Sequence, residues 1–261
     1  MVAPMQELDL GAIARGEQRL LAGKVVIMTG AGGGIGARIA EILSLAGARL
    51  ALTDVDPATL TAAAQPVGEC VMEAFDSTDQ EAFSRFHDRV LAELGPVDGL
   101  VNCAGWWSPA PFEAAHLGLL ERALETNLHT AWCGCRAVFP GMVERRSGSI
   151  VNFASTAGEY GSHTPAVHYA AAKGGIIGLT KSLAREAGPH QVRVNALSPG
   201  PTATPALGAS TPEQVASVSA RTLFNRLGTP DEMAGGCLYL LSPLSTFVTG
   251  TVLQINGGSL L

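Results

Sequence analysis

"KVVIMTGAGGGIGARIAEIL", residues 24–43, joins a short apolar, β-branched run to a glycine-rich string and then to a pattern of helical period. A continuous apolar run of this length reads as a strand covered on both faces, and the residues after Gly36 read as a helix. Gly30, Gly34 and Gly36, with Gly32, Gly33 and Ile35 among them, fall at the turn between the two. Without side chains such a turn can bend tightly and let a pyrophosphate reach the backbone. The free N–H groups and positive end of the following helix then favour the anion. A glycine string alone is no more than a flexible turn; between a first strand and its helix it points to a dinucleotide.

The same alternation continues along the chain. Strand-like runs recur at 49–54, 70–75, 97–101, 149–154, 192–197 and 251–255, and helix-period segments such as 79–94 and 119–143 lie between them. Strands alternating with helices predict a parallel sheet with helices on both faces: one doubly wound Rossmann domain of seven strands, with ligands at the carboxyl ends of the strands. No linker, repeat or low-complexity stretch divides the chain. Residues 1–21 read as an N-terminal extension ahead of a single domain spanning 22–261. The Pro-, Gly-, Ser- and Thr-rich stretch near 198–226 reads as a lid over the substrate. The second strand ends at Asp54, followed by Val55, 18 residues after Gly36. A carboxylate there can accept hydrogen bonds from both adenosine ribose hydroxyls and would repel a 2′-phosphate, which favours NAD over NADP.

Bulk properties exclude several functions. With 47% apolar residues in 261, the chain can bury a large core. Its 17 basic and 23 acidic residues, a net of −6 without any basic run, argue against nucleic-acid or anionic-membrane partners and for a small molecule. Five scattered cysteines without paired CxxC spacing suggest neither a disulfide framework nor a zinc site, and no metal is expected. No secretory leader or 18-residue apolar run is present, so a cytoplasmic protein is expected. There is no GxSxG elbow for a serine hydrolase and no GxxxxGK[ST] for phosphoryl transfer.

"YAAAK", residues 169–173, carries a tyrosine and a lysine four apart in a helix-like run, so both side chains emerge on one face. An ammonium there should stabilise phenolate over phenol and lower the Tyr169 pKa from its usual value near 10, making it a proton carrier at physiological pH. Ser155 closes the strand-like run before it, where a parallel sheet presents ligand-binding groups, and could hold the same substrate oxygen.

With these motifs the sequence resembles the short-chain dehydrogenase/reductase family over about residues 22–258: "TGAGGGIG" matches its TGxxxGxG, "NCAG" at 102–105 its NNAG, "YAAAK" its YxxxK and "PGPTAT" at 199–204 its Pro-Gly segment. The resemblance implies Tyr169 as acid/base, Lys173 lowering its pKa and binding the nicotinamide ribose, Ser155 polarising the substrate oxygen, and Asn127 completing a relay through water to Lys173. Read from its surroundings alone, Asn127 is a helix-interior residue with a packing role. The resemblance also implies that Asp76 and Ser77 meet the adenine and that Asn102, Ala104 and Gly105 form the wall beside the cofactor. Pro199, Gly200, Thr202 and Thr204 would meet the carboxamide and diphosphate. A homotetramer is implied as well. Cys103 and Ala172 depart from the commoner residues without removing a needed group. Enoyl reductases of the family space tyrosine and lysine more widely, so enoyl reduction is disfavoured.

Trp106 and Trp107, directly after "NCAG", are candidates for an apolar substrate pocket, and Glu159, Tyr160 and His163 for specificity. A secondary alcohol or ketone of small to medium size with an apolar or aromatic group is the expected substrate. A 3-oxoacyl-carrier-protein or steroid-type ketone is the alternative, and a non-catalytic NAD-sensing protein a further class. His163 and His168 have no partner cluster suited to a metal, so a loop or capping role is expected for them.

Overall fold

A computed structural model describes residues 19–205 and 211–259. Residues 1–18 of the expected extension and 206–210 of the expected lid therefore lie outside the described residues, while Leu21, counted with that extension, is buried in the core.

In chain order the elements are β1 (Val25–Thr29), α1 (Gly34–Leu45), β2 (Arg49–Asp54), α2 (Pro57–Ala64), β3 (Val71–Ala74), α3 (Gln80–Glu93) and β4 (Gly99–Asn102). There follow α4 (Leu117–Ala123), a π-helical turn (Leu124–His129), α5 (Thr130–Arg145), β5 (Gly148–Phe153), α6 (Thr156–Tyr160) and α7 (Val167–Ala187). The chain closes with β6 (Val192–Pro199), α8 (Pro212–Ser219), α9 (Pro230–Leu241) and β7 (Val252–Ile255). All seven strands pair in parallel in the order β3-β2-β1-β4-β5-β6-β7, as the alternation predicts. The order reverses between β1 and β4, and a crevice opens there because the loops leaving the two strands turn to opposite sides.

Apolar side chains on successive β1 residues serve opposite faces. Val26 and Met28 pack with Ile39 and Leu43 of α1 and Met233 and Leu240 of α9. Val25 and Ile27 pack with Phe83 and Phe86 of α3 and Val138 and Met142 of α5. Both faces are dry, which is why the strands are continuously apolar instead of alternating. Short polar caps set the helix starts: Asp56 accepts from Ala58 N and Thr59 N at α2, and Asp79 from Glu81 N and Ala82 N at α3.

One helix differs from expectation. The run 119–143 reads as continuous helix, but the backbone widens to π geometry over Leu124–His129. There the Asn127 side chain inserts, its Nδ2 donating to the carbonyl oxygens of Ala123 at 3.0 Å and of Trp106 at 2.9 Å. A side chain that occupies an i−4 carbonyl disrupts the α ladder, and the helix accommodates one extra residue.

Phe83 is fully buried and meets Phe75 edge-on at 5.7 Å between ring centroids. Truncation of Phe83 to Ala should cost about 3–5 kcal/mol of stability, read as a lower urea midpoint with an unchanged slope.

Candidate active site

The carboxyl ends of β1, β2, β4 and β5 open onto one cleft of about 670 Å³. Its floor is the glycine turn. Gly30 has φ +67° and lies against the backbone of Ala104, where a Cβ would come within 2.6 Å of Ala104 N. Gly36 sits on the Gly30 carbonyl so closely that no side chain fits. Gly32, Gly33, Gly34 and Ile35 complete the turn along the cleft. The cradle therefore presents bare backbone and the start of α1, the arrangement that suits a dinucleotide phosphate.

Asp54 lies at the end of β2 beside this turn, and its Oδ2 accepts from Gly32 N at 2.9 Å. Because Asp56 performs the capping of α2, Asp54 is not spent on a helix start. Asp54, Val55, Asp76 and Ser77 all border the cleft. Asp76 Oδ1 also folds its own loop by accepting from Thr78 N at 2.9 Å.

At the other end, Tyr169 and Lys173 sit one turn apart on α7 and both face the cleft. Lys173 is only 4% exposed; its Nζ donates to the Phe153 carbonyl at 2.7 Å and lies 5.7 Å from the Tyr169 ring centroid. Burial lowers the Lys173 pKa to about 8. The expected lowering of the Tyr169 pKa is not what the structure gives: burial raises it, outweighing a hydrogen bond from Ser155 that favours phenolate. Removing a phenolate from water costs more than the serine returns, and the lysine, itself desolvated, contributes no comparable offset. Cys103, half-buried at this end, has its thiol pushed up to about 12 by desolvation.

Asn127 Oδ1 is buried without a partner. It points at Gly105, where a Cβ would lie 2.7 Å from Asn127 Oδ1 and 3.4 Å from Lys173 Nζ. Two polar atoms thus face space that only glycine leaves open. Trp106 and Trp107 follow, the first half-buried and the second 48% exposed, both along the cleft. Ala104, Pro199 and Thr204 border it too, and Pro205 closes on Gly34.

Several expected positions are elsewhere. The Asn102 amide turns away from the cleft and donates to Asn152 Oδ1 at 2.8 Å and to the Ala131 carbonyl at 3.2 Å, tying β4 to β5 and α5. A buried amide needs such partners, and here they lie inside the helix layer. Glu159 and Tyr160 reach Gln254 on β7 at 2.7 and 3.2 Å, and His163 is exposed in its loop; none of the three borders the cleft. Gly200 packs on Asn256, and Thr202 Oγ1 donates to the Gly200 carbonyl at 3.0 Å; neither borders the cleft. Ser155 caps α6 by accepting from Ala157 N at 3.2 Å and hydrogen-bonds to Tyr169. His168 is buried, with Nε2 3.1 Å from the Ser108 carbonyl, which pins the loop after β4 to α7. Among the described residues no three His, Cys, Asp or Glu side chains converge as metal ligands.

Arg122 was not among the expected residues, yet it borders the cleft from the end of α4, as do Thr126 and Thr130. Its spacing from Asn127, five residues, is not a helical repeat; the π turn brings them to one side.

Comparison with known proteins agrees with this arrangement. Residues 30–259 match a family model described as enoyl-(acyl carrier protein) reductase, adh_short_C2. The chain is 36% identical to acetoacetyl-CoA reductase from Acinetobacter sp. over 90% of its length and 97% of that protein's. It is also 36% identical to 3-oxoacyl-[acyl-carrier-protein] reductase from Vibrio cholerae over 91% of this chain and 98% of that one. The structure of a short-chain dehydrogenase/reductase SDR:glucose/ribitol dehydrogenase from Brucella melitensis superposes with a TM-score of 0.86 at 31% identity, covering 94% of this chain and 99% of that one. With the sheet order, the glycine turn and the YxxxK helix in place, the chain belongs to the short-chain dehydrogenase/reductase family of nicotinamide-dependent oxidoreductases.

Proposed function

We propose that the protein is an NAD-dependent oxidoreductase interconverting a secondary alcohol and its ketone, with Tyr169 exchanging the proton on the substrate oxygen. The observation that carries this reading is the meeting, in one cleft, of Tyr169, Lys173 and Asn127 with the Gly30–Gly36 turn and Asp54. Nicotinamide, when bound, supplies the hydride donor or acceptor.

Gly30 to Gly36 and the start of α1 would hold the diphosphate, and Asp54 the adenosine ribose, its charge disfavouring a 2′-phosphate. Lys173, fixed by the Phe153 carbonyl, would bind the nicotinamide ribose and pass protons through water toward Asn127. Ser155 would orient the substrate oxygen on Tyr169. With its pKa raised, Tyr169 is a phenol at neutral pH and can donate a proton to a carbonyl oxygen directly. Alcohol oxidation needs the phenolate and gains from alkaline conditions. The three residues between Tyr169 and Lys173 favour carbonyl over enoyl chemistry by the family resemblance, whose enoyl reductases space the pair more widely.

The half-buried Trp106 and the exposed Trp107 favour a small to medium substrate with an apolar portion. A second reading, reduction of a 3-oxoacyl thioester, is supported by the names of two relatives. Residues near 198–226, including α8, would close over the substrate as a lid. A homotetramer is the assembly the family resemblance suggests, and exposed Trp132 on α5 and Phe247 ahead of β7 offer apolar surface for it. No helix among the described residues is long and apolar enough to cross a membrane. A cytoplasmic location is part of the same reading.

Screening NADH formation against chiral secondary alcohols tests the proposal, and its absence across the panel would overturn it. Tyr169→Phe should lower kcat by about 10²–10⁴-fold while NADH still binds, as followed by fluorescence titration. In the intact protein kcat/KM for oxidation should rise from about pH 7 to about pH 10, and that for reduction should not. Asp54→Ala should cost about 10-fold or more in NAD over NADP preference, measured as the ratio of kcat/KM values. Gly105→Ala should lower kcat by about 10-fold or more by displacing the buried Asn127 side chain, and should lower the thermal midpoint as well.

A further inference from the structure

Proton transfer and dinucleotide binding leave one charged side chain of the cleft without a task. Arg122, at the end of α4, lays its guanidinium over the Trp106 indole with Cζ 4.2 Å from the ring centroid. The hydrogen bond at this residue is made by its backbone carbonyl, which accepts from Thr126 Oγ1 at 2.8 Å. Arg38, Arg89 and Arg226 each pair with a carboxylate. No described carboxylate pairs with Arg122, not even Glu125 at the i+3 position that suits an ion pair.

Stacking on an indole face fixes the plane of a guanidinium and leaves its N–H edge free, the geometry for a bidentate oxyanion. The indole belongs to the reacting end of the cleft. Its backbone carbonyl accepts from Asn127, and its ring lies 6.3 Å from that of His168, the residue before Tyr169. The phosphate cradle is instead built on β1 and the ribose carboxylate on β2. In a chain of net charge −6, a cation with no described carboxylate partner at this end of the cleft is a local reversal of sign that would draw in an anion.

We infer that Arg122, held flat on Trp106, binds an anionic oxygen group carried by the substrate away from its reacting carbon, so that it is a specificity-determining residue. The inference rests on the alcohol/ketone reading above and narrows its substrate class. The anion has two possible sources with the same chemistry, a carboxylate on a small ketone or a phosphate on a thioester carrier.

The test uses the full chain with NADH. Methyl ketones bearing a terminal carboxylate, in increasing chain length, are compared with their methyl esters, and acetoacetyl-CoA with the uncharged N-acetylcysteamine thioester. At least one acid, or the CoA thioester, should exceed its neutral partner by about 10-fold or more in kcat/KM. Arg122→Met should abolish that preference while leaving the neutral substrates and NADH affinity unchanged, and Arg122→Lys should restore part of it. Preference among the acids identifies a carboxylate; preference confined to the CoA thioester identifies the carrier phosphate. Equal loss for charged and neutral partners in Arg122→Met would show a structural role, and weaker NADH binding would show a cofactor contact; either overturns the inference. Turnover of neutral ketones with no preference for anions overturns it while sparing the alcohol/ketone reading. No turnover of any member overturns both.

Discussion

At the carboxyl ends of β1 and β4 two backbone segments come together, joined by one small side chain. Thr29 Oγ1 accepts from Ala104 N at 3.2 Å, and Gly30, at positive φ, leans on the same residue. These strands flank the reversal of sheet order, so this contact holds the phosphate turn on one side in fixed relation to Gly105 and Trp106 on the other. The site cannot be assembled without it, because the two halves arrive on loops that otherwise diverge. The sheet below supplies the rigidity: helices seal both faces, and Asn102, Asn152 and Thr180 run as a hydrogen-bonded chain from β4 through β5 to α7.

On that frame the chemistry is set by burial more than by proximity. A lysine beside a tyrosine suggests an acidified phenol, but Lys173 and Tyr169 are both withdrawn from water and each resists its own charged form. One carbonyl, from Phe153, anchors the lysine head. The result is a tyrosine kept as the phenol, beside an Asn127 oxygen free to accept a hydrogen bond.

Much of this is legible in the sequence, and for physical reasons. The inner strands, covered on both faces, are short and uniformly apolar, the edge strands β3 and β7 show by their place in the alternation, and glycine marks where backbone must approach backbone. Asp54 can be found at the cleft because it closes the strand beside the glycine turn. Asn102, Glu159 and Tyr160 show the limit: a motif position does not say which way an amide turns, and Gln254, the partner of the other two, comes from the far end of the chain. The Tyr169 pKa was illegible because desolvation depends on what packs around the ring and not on the residue four positions away. Arg122 was illegible because its partner, Trp106, lies across a loop and its helix changes period before Asn127.

That change of period makes the helix through 117–145 a device with two phases. Each residue advances an α-helix by about 100°, so one surplus residue rotates everything upstream relative to everything downstream. Upstream of the π turn the rotation directs Arg122 to the cleft, and downstream the buried Cys133, Val138 and Met142 stay locked on the sheet. The upstream portion can therefore be retuned for new ligands by small shifts in winding, while the downstream portion preserves the core unchanged.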